Sequence, residues 1–170
     1  MLVDDPMVPL AAAVLHLGAG EPERALAVEC GEGDAALFLA REFPRARVRG
    51  VDSSAEAVAR ATSRVGLDPE GRIAFKQGAP RRLPFPDDHF DLVVRAGPPA
   101  RLREAARVLR PGGHLISFGS GPPRDGQLRQ RWRERRLSRL GFELLQEGGA
   151  GGGSFSVFRL AAAGRDSPSD

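Results

Sequence analysis

Short apolar runs alternate along this chain with stretches whose apolar residues recur at helical spacing. Val8 to Leu17 reads as a short apolar helix ended by Gly18-Ala19-Gly20. Arg24 to Val28 has no polar alternation, the mark of a strand buried on both faces. Asp34 to Glu42 follows as a helix, with Leu37, Phe38 and Phe43 facing the sheet, and Pro44 closes it. Arg47 to Val51 is a second strand. Ser53 or Ser54 caps a helix running to about Val65, with Val58 and Val65 inward and Gly66 at its end. Arg72 to Gln77 is a third strand, and Gly78 to His89 a proline-rich loop. Phe90 to Arg95 is a fourth strand. Pro98-Pro99 open a helix ending near Arg110, and Pro111-Gly112-Gly113 turn into a fifth strand, His114 to Phe118. A loop, Gly119 to Gly126, precedes a helix over Gln127 to Leu140, with Leu128, Trp132, Leu137 and Leu140 on one stripe. Phe142 to Glu147 is a sixth strand, Gly148 to Gly153 a flexible connection, and Ser154 to Ala161 the last strand.

Strands alternating with helices predict an α/β fold, a mostly parallel sheet covered on both faces. The last two strands have no helix between them, and a parallel pair needs a crossover of about 12 residues or more. The final strand is therefore expected to run antiparallel beside the sixth. Residues 1–163 are expected to form one domain, and the polar tail from Gly164 to Asp170 to stay disordered.

Composition narrows the picture. A 170-residue chain with 41% hydrophobic residues can bury one core. No apolar run approaches the ~20 residues that span a bilayer, and Asp4 and Asp5 stand where a secretory signal needs basic residues. The single cysteine, Cys30, excludes an internal disulfide framework and suits a cytoplasmic location. The net charge of +3 is a weak argument for nucleic acid, although the basic residues are arginines apart from Lys76. The best nucleic-acid candidate is the series Arg129, Arg131, Arg133, Arg135, Arg136 and Arg139. Glu134 interrupts it and Trp132 falls on the apolar stripe, so a solvated helix face is the preferred reading.

The candidate chemistry sits in Ala25 to Ala36, where the first strand ends in Glu29-Cys30-Gly31-Glu32-Gly33 and a helix begins at once. Glycines allow positive φ and close approach of a ligand to the main chain. The helix N-terminus presents unpaired N–H groups to a negatively charged group. Asp52 follows at about the ~20-residue spacing at which an acid meets a ribose in dinucleotide folds. A nucleoside-containing cofactor is the reading. Gly31-x-Gly33-x-x-Ala36 alone also admits a nicotinamide dehydrogenase.

Four segments in order resemble one family. They are Ala25 to Gly33, the stretch GVDSSAEAVARA from Gly50 to Ala61, LPFPDDHFDLVV from Leu83 to Val94, and REAARVLRPGGHLI from Arg103 to Ile116. Together they are similar to the class I S-adenosyl-L-methionine (SAM)-dependent methyltransferases, above all the small-molecule, ubiquinone/menaquinone-type branch. The resemblance implies a Rossmann-like methyltransferase sheet with a C-terminal antiparallel strand. It also implies SAM as cofactor and a small-molecule methyl acceptor. By the same resemblance Gly31 and Gly33 pass beneath the cofactor's methionine and ribose, with Glu29, Cys30 and Ser53 beside them. Asp52 accepts the ribose hydroxyls, Gly78, Ala79 and Pro80 edge the adenine, and Arg95 with Ala96 faces the reacting end.

Three positions depart from the family pattern. Ala27 stands where the family carries an acid that supports the cofactor's ammonium group. Glu29 replaces the first glycine of the turn, and Ala79 replaces an acid that meets the adenine. Glu29 is read as holding the ammonium group in place of the acid that Ala27 replaces; the competing reading is a bulky anion that repels the cofactor's own carboxylate. The segment from Arg95 to Pro99 is short for the family, so the substrate wall is expected to be small. Methyl transfer from a sulfonium is an in-line displacement that rests mainly on positioning and exclusion of water. No general base stands out. His16 is read as a partly exposed helix residue, His89 as solvent-facing and His114 as structural. Cys30 reads as a small buried filler, and Asp87, Asp88 and Asp91 as turn and strand-edge residues with no metal. The second functional reading is a non-catalytic relative that acts through a protein partner.

Overall fold

The computed structural model describes residues 5–121 and 134–162. The elements, in chain order, are α1 (Val8–Val14), β1 (Arg24–Val28), α2 (Asp34–Glu42), β2 (Arg47–Asp52), α3 (Ala55–Ser63) and β3 (Ile73–Gln77). They continue with β4 (Phe90–Ala96), α4 (Leu102–Val108), β5 (Leu109–Ser120), a helix α5 over 134–139, β6 (Phe142–Ala150) and β7 (Gly153–Leu160).

The strands join in one sheet of order β3-β2-β1-β4-β5-β7-β6. β1 pairs in parallel with both β2 and β4. Chain order therefore reverses between β1 and β4, which opens a crevice at the carboxyl ends of these strands. β7 inserts between β5 and β6 and runs antiparallel to both, as the missing crossover requires.

Both faces of the sheet are apolar, and β1 shows how its short sequence serves both. Ala25 and Ala27 face a cluster with Leu10 and Ala13 of α1 and Ala36 and Leu39 of α2. Leu26 and Val28 face the other cluster, with Leu102, Ala105 and Val108 of α4 and Leu137 of α5. Alternation of side chains along a strand produces this division. The small alanines lie on the side of α1 and α2, and the larger Leu26 and Val28 on the side of α4 and α5.

Several boundaries differ from the sequence expectation. α1 stops at Val14, because Pro9, Leu10, Ala13 and Val14 complete its buried stripe and Leu15 is 80% exposed. On α2 the buried positions are Ala36, Leu39 and Ala40. Leu37 and Phe38 are half-buried beside Met7, Val8 and Ala11 in a groove of about 740 Å³. α4 begins at Leu102 and not at Pro98, because Arg101 takes the left-handed conformation (φ 55°), which ends any helical run. Pro111 to Gly113 form a bulge inside β5 and not a turn before it. Phe90 pairs with Leu109 and Leu92 with His114, so the extra residues lie on β5.

The stretch from Gly148 to Gly153 is a tight hairpin and not a loose connection. A side chain at Gly148 would stand 2.8 Å from the Phe155 ring, and one at Gly153 would stand 2.4 Å from Pro9. The glycines are there for close packing. Much of the stretch expected as an arginine-rich helix, including Arg129, Arg131, Trp132 and Arg133, lies outside the described residues, as does the tail from Gly164.

Candidate active site at the carboxyl ends of β1, β2 and β4

The loop after β1 is built by backbone hydrogen bonds that leave its inner edge facing the crevice. Cys30 N–H donates to the Val51 carbonyl (3.0 Å), and Gly33 N–H to the Cys30 carbonyl (2.9 Å). The chain turns through positive φ at Glu29 (54°), Gly31 (52°) and Gly33 (90°). The two glycines serve different ends. A Cβ at Gly31 would meet nothing within 4 Å, so that edge of the loop is an open cradle. A Cβ at Gly33 would stand 2.8 Å from Phe75 and 3.1 Å from Ala61, so that glycine lets α2 and α3 approach the sheet. The outer rim is tied to α3 and the residue after it: Glu32 pairs with Arg60 (2.9 Å), and Asp34 with Arg64 (2.8 Å).

Asp52 ends β2 beside this loop. Its Oδ2 accepts from Gly31 N–H (2.9 Å) and its Oδ1 from Ser54 N–H (2.9 Å). Each oxygen keeps a lone pair beyond the backbone bond it makes. Ser54 then caps α3 by accepting from Ala57 N–H at 3.2 Å. Ser53 is exposed, and its carbonyl accepts from the Gln77 side chain (3.0 Å). Gly78 donates to the Asp52 carbonyl (2.9 Å) and is hemmed in by Pro84 and Val51. Ala79 bridges to Arg82, and Pro80 lines a small cavity with Val28, Leu83 and Arg95. Hydrogen bonds thus bring the turn residues Glu29, Cys30, Gly31 and Gly33 together with Asp52, Ser53 and the stretch Gly78, Ala79 and Pro80 at the carboxyl ends of β1 and β2, and Arg95 meets Glu29 from β4.

Glu29 carries a side chain where the family pattern has a glycine, and that side chain is engaged. Arg95 Nη2 donates to Glu29 Oε2 (2.7 Å), and Arg101 Nη1 to Glu29 Oε1 (3.3 Å). Arg95 also donates to the Ala100 carbonyl, while its Nε is buried with no hydrogen-bond partner. Burial lowers the Arg95 pKa, and the Glu29 carboxylate opposes that shift. Between this cluster and α4 the remaining cavity is about 10 Å³, about the size needed for a single water (~10–15 Å³). Sequence reasoning does not single out Arg101. Its only signal there is its place just before the α4 pattern.

A second arginine organises the proline-rich loop. Arg107 on α4 donates to Glu104 (2.8 Å), to Asp87 (2.8 Å) and to the carbonyls of Phe85 (2.8 Å) and Leu83 (3.0 Å). Glu104 in turn accepts from Leu83 N–H (2.8 Å), and the Arg107 hydrogen bond holds its carboxyl below the ordinary range. The spacing E-x-x-R is visible in the sequence, but its partners some 20 residues upstream are not.

Among the titratable groups outside the crevice, His89 departs from the solvent-facing position expected of it. His89 is half-buried, 3.4 Å from Arg24, and burial lowers its pKa, with Arg24 adding to the effect. It stands at the opposite end of β1 from the glycine turn. Burial likewise lowers the pKa of His114, which pairs in the sheet with Leu92 and Arg159. His16 stacks on Phe155 at 5.7 Å. Asp91 accepts from the backbone of Glu23 (3.0 Å) and Arg24 (2.9 Å) and pairs with Arg110 (3.0 Å). Among the described residues no cluster of three metal-ligating side chains occurs, and no helix is long and apolar enough to cross a membrane.

Known proteins share both the sequence pattern and the fold. A family profile described as a methyltransferase domain matches residues 25–113, just over half of the chain. A fatty-acid O-methyltransferase of Mycolicibacterium smegmatis is 35% identical over 112 residues, covering 62% of this chain and 40% of its own. A demethylmenaquinone methyltransferase of Deinococcus radiodurans is 34% identical over 122 residues, covering 68% and 50%. The chain thus spans about half the length of these relatives. A SAM-dependent methyltransferase from Aquifex aeolicus superposes with a TM-score of 0.70 at 19% identity, over 92% of this chain and 93% of that one. By sequence match, strand order and the loop after its first strand, the chain belongs to the class I methyltransferases, whose cofactor is S-adenosyl-L-methionine.

Proposed function

We propose that this protein is a methyltransferase that uses SAM to methylate a small molecule, with the adenosyl group over the Gly31 cradle and its ribose diol on Asp52. The observation that carries this reading is the Asp52 carboxylate, fixed by Gly31 and Ser54 N–H groups beside an open loop edge at the point where strand order reverses. A carboxylate with one free lone pair on each oxygen suits a vicinal diol. The relatives are named for a fatty acid and a demethylmenaquinone, which supports a small-molecule acceptor and favours an enzyme over a non-catalytic relative.

The residues present fit the ribose of the cofactor through the Asp52 carboxylate, whereas Ala79 offers the adenine no acid. At the amino-acid end they fit by chemistry, one carboxylate and two guanidiniums facing a zwitterion, although Glu29, Arg95 and Arg101 are paired with one another. When bound, SAM supplies an activated methyl group on sulfur. The chain's own contribution is to orient. Asp52 fixes the sugar, the Gly31 backbone permits close approach, and the apolar walls of Val28, Pro80 and Leu83 exclude water. No histidine flanks the glycine turn, which favours an acceptor that needs no strong protein base.

Thermal-shift measurements with SAM, S-adenosylhomocysteine and NAD test the reading. Both adenosyl compounds are expected to raise Tm, and NAD is expected to leave it unchanged. Stabilisation by NAD alone, or by none of the three at millimolar concentration, overturns it. Transfer of label from methyl-labelled SAM to a panel of small acceptors then identifies the substrate.

A further inference from the structure

We propose that Glu29, Arg95 and Arg101 form an exchangeable clamp for the amino-acid end of the adenosyl ligand. In the clamp Glu29 takes the ligand's ammonium, and Arg95 and Arg101 take its carboxylate. This rests on the reading of the crevice as an adenosyl site.

The cluster has the composition that such recognition needs and that the rest of the loop lacks. Ala27 offers no charge, and the Glu29 carboxylate lies just beyond the end of the same strand, at the mouth of the crevice. The two guanidiniums outnumber the one carboxylate they hold, so among the described residues the cluster carries a surplus positive charge. The buried Arg95 Nε–H has no acceptor among the described residues, and buried donors are nearly always satisfied. A carboxylate presented to Arg95 and Arg101 would supply the missing acceptor.

The internal pairs are of unequal strength, which sets how the exchange proceeds. Arg101 meets Glu29 at 3.3 Å with its side chain 43% exposed, whereas Arg95 meets it at 2.7 Å with only 11% exposed. Exposed pairs contribute little and are readily replaced. Arg101 is thus the moving jaw, and Arg95, held by the Ala100 carbonyl, is the fixed one. Arg101 also sits at a strained φ of 55° immediately after Gly97-Pro98-Pro99-Ala100, with Gly97 at φ 92°. Ala100 and Arg101 line the cavity of about 10 Å³ left between this cluster and α4, and swinging Arg101 outward enlarges it.

Calorimetry on the full chain tests the clamp with two probes. S-adenosylhomocysteine has the amino-acid end and a neutral sulfur, and methylthioadenosine lacks that end. The wild type is expected to bind S-adenosylhomocysteine more tightly. Arg101→Ala is expected to weaken S-adenosylhomocysteine by roughly tenfold or more, the cost of a charge-assisted hydrogen bond, and to leave methylthioadenosine unchanged. Arg101→Lys should recover part of the loss, and Glu29→Gln should weaken the same ligand selectively. Tighter S-adenosylhomocysteine binding in Arg101→Ala overturns the proposal, because the cluster would then be a plug. Equal effects on both probes, or none, overturn it too. If methylthioadenosine binds while these variants leave S-adenosylhomocysteine unaffected, the clamp falls and the adenosyl site stands. If neither probe binds the wild type, both fall together.

Discussion

Two carboxylates close the ends of adjacent parallel strands, and they are held in opposite ways. Asp52, at the end of β2, is gripped by main-chain N–H groups of Gly31 and Ser54. Glu29, just past the end of β1, is gripped by the side chains of Arg95 and Arg101. Main-chain donors belong to the fold and stay where they are. Long arginine side chains have conformational freedom of their own and can trade one anion for another. The difference gives the crevice one fixed end and one adaptable end, which on the proposed reading would meet the ligand's sugar and its amino-acid end.

The largest effect should come from breaking the fixed end. Asp52→Ala leaves two loop N–H groups without their acceptor, at about 1–3 kcal/mol each where water cannot replace it. A stability loss of about 3 kcal/mol is expected in urea unfolding, with little dependence on salt. Glu29→Ala should cost less, because Arg101 turns to solvent and only the more buried Arg95 loses a partner. Its cost should shrink as sodium chloride is added to the wild-type reference, since half-exposed ion pairs are screened. Equal losses with equal salt dependence would abolish the distinction between the two ends.

A smaller effect separates cradle from packing within the glycine turn. Gly33→Ala forces a methyl group against Phe75 and Ala61 at φ 90°, for a loss of about 2 kcal/mol. Gly31→Ala meets open space and bears only the strain of its backbone conformation, about 1 kcal/mol. Ligand affinity should follow the reverse order, with Gly31→Ala weakening adenosyl binding more than Gly33→Ala once each is measured on the folded protein. Were Gly33→Ala the more damaging to binding, the open edge would not be the ligand's cradle.

The sequence makes the fixed end legible and hides the adaptable one, for a physical reason. Asp52, Gly31 and Gly33 act through spacing along consecutive elements, and local spacing is what a sequence displays. The partners of Glu29 lie 66 and 72 residues away and meet it only because β4 lies beside β1. The position of Arg95 at a strand end points it to the crevice, but nothing in the sequence announces its bond to Glu29. The same holds for Arg107, whose grip on Asp87, Phe85 and Leu83 turns an apparently loose loop into a pinned one. Misplaced boundaries trace to packing and backbone conformation: Pro98-Pro99 suit a helix start, yet the left-handed Arg101 intervenes. The glycines from 148 to 153 suit a flexible link, yet they admit Phe155 and Pro9 to close contact.

Cys30 lies between the two carboxylates in the chain, and its thiol can test the charge that each presents. Its thiol is pushed from 9.0 up to about 11, by burial first and by the Asp52 carboxylate second. Glu29, although adjacent in sequence, is paired with two guanidiniums and is expected to add little to that field. The folded protein therefore holds the thiol proton more tightly than the unfolded chain. This stabilisation is complete below pH 9 and is lost as pH rises toward about 11. Alkylation of Cys30 in the folded protein should accordingly be slow at neutral pH and accelerate only well above pH 9. Asp52→Asn should shift that profile to lower pH and Glu29→Gln should leave it in place. A shift of similar size in both variants would mean that Arg95 and Arg101 do not neutralise Glu29, and an unneutralised carboxylate at the crevice mouth could not be the resting half of an exchangeable pair.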